Sequence, residues 1–154
     1  MLEIWNYNYG EFFPEGTITE RRRGVNKLNY ASLEASKRLV EAGIVLETDA
    51  VWYVNGAGWQ LSNRDWVAGV ITYFEMISAP SMAEVWRELP EGFKYEGEWA
   101  YLCVTKSRKR DNTTYASYYL PNDAAVCGSK KHSTNPTDAL IDLLIWVRQE
   151  ATDD

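Results

Sequence analysis

Residue types able to move protons or attack substrates are few in this chain, and they are scattered. The single histidine, His132, lies in "GSKKHSTN" with Ser129, Ser133 and Cys127 near it in sequence. A nucleophile needs its base held beside it by a third group. Closeness along a loop does not supply that, so His132 reads as a surface-loop histidine. One histidine also falls short of the multi-histidine zinc sites, and Cys103 and Cys127 follow no metal spacing. Paired acids offer a second chemistry. Glu47 with Asp49, and Glu96 with Glu98, lie two apart in segments that read as strands, so each pair is expected on one face of a sheet. Two carboxylates so placed can share acid/base work. With Trp52, Tyr53, Trp99 and Tyr101 alongside, they would resemble a sugar-binding or hydrolytic cleft; the competing reading is a solvated sheet edge. "GSKKHST" lacks the spacing of a phosphate loop, and "NGAG" lacks the three-glycine dinucleotide pattern. No catalytic residue, metal or cofactor is expected.

The best local signal is for binding. Lys106, Arg108, Lys109 and Arg110 crowd "KSRKR", which reads as a hairpin tip. Tyr115, Tyr118 and Tyr119 follow on the returning strand, and Lys130 and Lys131 lie in the next loop. Cations beside aromatics can hold phosphates and stack bases, so a nucleotide or another small molecule is one reading of this cluster. Against nucleic acid stands a net charge of -6, because its binders usually carry a basic stripe. A charged tip is also a common way to keep a strand end soluble.

The elements that must carry these residues can be traced by period and by caps. A helix is predicted from Tyr30 to Ala42, capped by Asn29 or Ser32 and ended by Gly43. "IVLETDAVWYV" reads as a strand, "NGAG" as a hairpin turn and "WQLS" as the partner strand. Ser62 with Asp65 is expected to open a second helix over 63–77 with an apolar stripe from Trp66 to Ile77. "SMAE" is a capping box for a short third helix with Met82, Val85, Trp86 and Leu89 on one face, stopped by Pro90. "FKYEGEWAYLCVTKS" and "TTYASYYLP" read as strands flanking the basic tip. "NDAAVCGSKKHST" is a loop or a short strand around Ala125 to Cys127. In "NPTDALIDLLIWV", Asn135 caps, Pro136 takes the first helical position and Asp138 lies in the first turn.

That last helix is apolar on more than half its circumference and must lose water on two sides. It is expected between a sheet and the helix at 63–77, with a dimer seam or a docking face as the other uses of such a surface. "GIVLETD" (43–49) and "GFKYEGE" (92–98) align without gaps, each followed by aromatic strand residues and later by a long helix. They raise the prospect of duplicated helix–hairpin–helix units.

A chain of 154 residues fits one domain. Its composition, 45% apolar and 25% charged, is that of a globular protein rather than a disordered one. Seven Trp and ten Tyr imply a heavily aromatic core or an aromatic face offered to a partner. The fold class is therefore α+β: a mostly antiparallel sheet with about four helices packed on it. Residues 1–28 are expected to form an arm or edge strand, 29–150 a single domain, and 151–154 a frayed tail. The start lacks the pattern of an export signal, and no apolar run approaches the ~18 residues of a membrane span. A cytoplasmic protein with free thiols is expected.

"NYASLEASKRLVEAGIVLETDAVWY", "APSMAEVWRELPEG" and "NPTDALIDLLIWV" resemble stretches of short proteins of no assigned activity encoded by gut Bacteroides, their phages and integrated elements. The resemblance covers roughly residues 29–54 and 79–147, and the phrase Asn-Pro-Thr-Asp-Ala-Leu with Leu-Ile-Trp after it is its most specific piece. It implies a small accessory protein of a phage or mobile element, and no functional residue carries over. The function expected is non-enzymatic: binding of another protein or of itself as a homodimer, with nucleic acid or nucleotide less favoured and no membrane involved. A carboxylate-dependent hydrolase stands as a further alternative.

Overall fold

The computed structural model describes residues 26–70, 75–107 and 112–150. The predicted arm therefore lies outside the described residues except for its last three, which lead into a 3-10 turn at Lys27–Asn29. The predicted tail lies outside them altogether. Helix α1, Leu33–Glu41, begins where the Ser32 hydroxyl accepts the Ala35 N–H at 3.1 Å. It ends in a Schellman motif: Gly43 has φ 71, its N–H bonds to the Val40 carbonyl at 2.9 Å, and Ile44 N–H bonds to the Leu39 carbonyl at 3.0 Å.

Strands β1 (Ala50–Asn55) and β2 (Gly58–Asn63) form the "NGAG" hairpin, in which the Asn55 carboxamide oxygen accepts the Ala57 N–H at 2.9 Å. The predicted strand at 44–54 is thus shorter, because 44–49 adopts no regular structure. Helix α2 is described over Arg64–Val70; residues 71–74 of the predicted helix lie outside the described residues. Its cap is Asn63, whose side-chain oxygen accepts Asp65 N–H at 2.9 Å and Trp66 N–H at 3.3 Å; Ser62 is still in the strand. Met76 and Ile77, predicted as the end of that helix, belong with Ser78 to strand β3, Met76–Ser78, which pairs antiparallel with the other edge of β1. Short apolar runs fit either period, and here the unpaired edge of β1 decides.

Helix α3, Met82–Glu88, has the complete Ser81/Glu84 capping box. Val85 and Leu89 are buried, while Met82 and Trp86 lie in water. Strands β4 (Gly92–Tyr95), β5 (Glu98–Lys106), β6 (Thr114–Tyr119) and β7 (Lys131–Ser133) follow, then helix α4, Pro136–Glu150. The architecture is α+β, with two antiparallel sheets where one was expected, ordered β2-β1-β3 and β4-β5-β6-β7. The duplication is not shown. Of its two aligned segments, 43–49 is irregular while 92–98 holds β4 and a tight turn.

Helix α4 is interior. Thr137 through Ile141, Leu143 and Leu144 are buried. It packs on β6 and β7 on one side and on α1 and α3 on the other. The expected neighbour, α2, belongs elsewhere. Trp66 lies 6.2 Å from Tyr53 in a small cluster with Val51 and Val67, whereas Trp146 lies 6.2 Å from Phe93 in the main core. A sequence-distant clamp fixes α4: the Asp138 carboxylate accepts the Ser32 N–H at 2.8 Å. One carboxylate therefore serves the positive ends of α1 and α4. Burial raises its pKa, and the Ser32 bond offsets that only in part.

Candidate binding face

Strands β5 and β6, "EWAYLCVTK" and "TYASYY", carry bulky residues in both alternating sets, so the register decides what each set does. Ala100, Leu102 and Val104 pair with Phe93, Tyr118 and Ala116, and this set faces α4 in the main core. The opposite set is Gly92 and Lys94 on β4, Trp99, Tyr101, Cys103 and Thr105 on β5, Tyr115, Ser117 and Tyr119 on β6, and His132 on β7. Among the described residues, the helix packed along this sheet is α4, and it covers the first face. On the second face Trp99 and Tyr101 remain 45% and 55% exposed.

Each side chain there has a local cause. The β4–β5 hairpin turns through Glu96 (φ 50) and Gly97 (φ 88), a two-residue turn of the kind whose twist matches the strands. It sets Lys94 opposite Trp99 and Gly92 opposite Tyr101. The Trp99 indole then lies across Gly92, where a Cβ would stand 2.7 Å from its Nε1 and 2.5 Å from the Ala100 carbonyl; only glycine allows that approach. Tyr101 meets Trp99 edge-on, with centroids 6.3 Å apart.

At the other end, Lys130 Nζ sits 5.3 Å from the Tyr115 ring centre, within cation–π range, and His132 lies 5.8 Å from the same ring. Lys130 is carried there by Ser129. The Ser129 hydroxyl is 2.7 Å from that of Ser117 and accepts the Tyr118 N–H at 3.2 Å, pinning the loop to the edge of β6.

The predicted cluster is therefore split. Tyr115 and Lys130 share the open face. Lys106, paired with Thr114, and Lys131, paired with Ala116, belong to the set that faces α4. Lys131 lines a groove with Arg38, Asp142 and Trp146. Tyr118 is corrected to a core residue: it is wholly buried, its hydroxyl donates to the Pro90 carbonyl at 2.7 Å, and burial pushes its pKa up to about 12. Arg108, Lys109 and Arg110 lie outside the described residues. Tyr119, named with that cluster, shares the open face as well, and Lys94 joins it. Trp99 and Tyr101, expected beside carboxylates, are its exposed large aromatics, and the signal for these two and for Lys94 is the alternation itself.

The paired acids do not converge. Glu47 and Asp49 are exposed in an irregular segment lining a groove of about 570 Å³ with Arg64, Asp65, Glu84 and Glu88. Glu96 is in a turn and Glu98 begins β5 in the other sheet. Much of the polar lining is already engaged. Glu84 accepts from Asp49 N–H at 3.0 Å and from Ser81 N–H at 2.6 Å. Arg64 donates to the Thr48 carbonyl at 2.7 Å and to the Ser78 hydroxyl at 2.8 Å. Among the described residues no group of three His, Cys, Asp or Glu could hold a metal ion, and no helix is long and apolar enough to cross a membrane. Cys103 and Cys127 are unpaired. No family model, curated protein or solved structure matches this chain.

Proposed function

We propose that the chain is a non-enzymatic accessory protein of a phage or mobile element, acting in the cytoplasm of its host by binding another macromolecule through the open face of β4–β7. The exposure of Trp99 and Tyr101 on the sheet face opposite helix α4 carries this reading. Large aromatics left in contiguous contact with water mark interaction surfaces more often than chance. The sequence resemblance supports the phage or mobile-element setting.

Capture from host lysate tests it, with the native chain compared with the Trp99→Ala/Tyr101→Ala pair, both checked for equal unfolding temperature. The native chain is expected to retain a macromolecule that the pair does not. Equal retention by both, or none by either, overturns the proposal.

A further inference from the structure

We infer that the open face of β4–β7 takes single-stranded nucleic acid, with bases stacked on Tyr101, Tyr119 and Tyr115 and phosphates held by Lys94 and Lys130. This inference rests on the binding role proposed above and names the partner's class. Charge complementarity is its first support. The chain holds 22 acidic residues, yet no carboxylate occupies the outward register of any of the four strands. Glu98, the only acid within these strands, pairs with Tyr95 in the set that faces α4. The charged strand residue that does point outward is Lys94, and Lys130 joins it over the Tyr115 ring. In a chain of net charge -6, the outward register of these four strands thus holds no acid, which favours a polyanion.

The composition of the face narrows the partner further. No Leu, Ile, Val or Met registers outward on these strands, so the apolar part of the face is aromatic. No Asp, Glu, Asn or Gln registers there either, and those planar groups are what a sugar's hydroxyl pairs need. What remains is flat rings, small hydroxyls and amines. Rings stack on any base, amines neutralise phosphates, and together they make a platform tolerant of sequence.

The geometry fits the same use. Tyr101 and Tyr119 stand directly opposite on the two central strands. Tyr115 lies four residues from Tyr119 along β6, roughly 13 Å at the rise of a strand. A four-stranded sheet with helices behind and aromatics in front is a known way to splay out and stack two or three bases. Trp99, close against Gly92, borders the platform on the β4 side.

Fluorescence anisotropy of the full chain with a labelled oligothymidylate of about twelve residues tests this. Binding is expected at low salt, and it should weaken about seven-fold from about 50 to about 200 mM salt if two lysines each displace a counterion. Tyr101→Ala should weaken it roughly ten-fold or more, the size expected for one lost stacking contact, while Tyr101→Phe keeps the ring and the affinity. Lys94→Glu should weaken it and flatten the salt dependence; Lys106→Glu, registered on the other face, should change it least.

No binding at about 100 μM chain, near the weak end of non-specific association, overturns the inference. So does binding indifferent to Tyr101→Ala, or equal binding to a duplex whose bases are already stacked. If the oligonucleotide fails but a nuclease-treated lysate still yields a partner that the Trp99→Ala/Tyr101→Ala pair loses, the face takes a protein. This inference then falls while the broader proposal stands.

Discussion

Tyr118 and Tyr119 are neighbours in sequence, and they live in different worlds. Tyr118 points at α4, is wholly buried, and donates a hydrogen bond from its hydroxyl to the Pro90 carbonyl. Tyr119 sits on the far side of the same strand, paired with the exposed Tyr101. The same contrast runs along the whole four-stranded sheet. Under α4, one face is small and aliphatic residues plus Phe93, Tyr95 and Tyr118, closed by Leu140, Leu143 and Leu144; the other carries the exposed Trp99 and Tyr101 with Lys94, and only Ser117, bonded to Ser129, is buried on it. Folding free energy is drawn from the first face, where apolar area leaves water. The second buries less apolar area, which leaves its aromatics available for the recognition proposed above. On that proposal the sheet separates stability from function by a period of two, and the separation can be tested at both faces.

The largest effect is expected in the closed face. Leu144 is wholly buried between the sheet and the other helices, and Leu144→Ala should cost about 2–5 kcal/mol through lost burial and the cavity left behind. Urea unfolding measures this; a cost under about 1 kcal/mol would mean that α4 is not the interior wedge described.

Next comes Tyr118. Its folded pKa is raised from 10.0 to about 12, so the neutral form is preferred in the fold. That contribution is fully present below pH 10, and it is lost as the pH rises through about 12, where the folded phenol finally ionises. Two units correspond to roughly 2–3 kcal/mol. Tyr118→Phe should lose about 1 kcal/mol at neutral pH with the hydrogen bond to Pro90, and should lack this alkaline component. A variant with the same alkaline profile as the native chain would place Tyr118 in water.

Much of the closed face was legible in the sequence because caps are local. Ser32, the Ser81/Glu84 box and Asn135 before Pro136 each name a helix start within four residues, and each is where the chain begins a helix. The "NGAG" turn is equally local. Elements whose fate depends on distant partners were less readable. Residues 76–78 became a strand because β1 offered an edge, and α4 found α1 and α3 rather than α2.

The site was legible in part. Charge drew attention to Lys106 and Lys131 as strongly as to Lys130, because charge has no face. The alternation in "WAYLCV" and "TYASYY" does have one, but it cannot say which set turns inward. Ala100 and Ala116 settle that, since small residues let a helix lie close on the sheet, and their role emerges only once α4 is placed above them.

The smallest expected effect on folding is the one that sharpens the contrast most. Tyr101→Ala removes a large aromatic whose ring is more than half exposed and which meets its neighbour Trp99 edge-on. Surface changes away from special features usually stay within about 0.5 kcal/mol, and one exposed aromatic contact adds on the order of 0.5–1.5 kcal/mol at most. The unfolding midpoint should therefore move far less than for Leu144→Ala, although the residue removed is larger. A loss rivalling that of Leu144→Ala would show that the open face carries the fold after all. Tyr101 would then be covered in the protein as it exists in solution, and the division between a closed face for stability and an open face for recognition would be wrong at its most exposed residue.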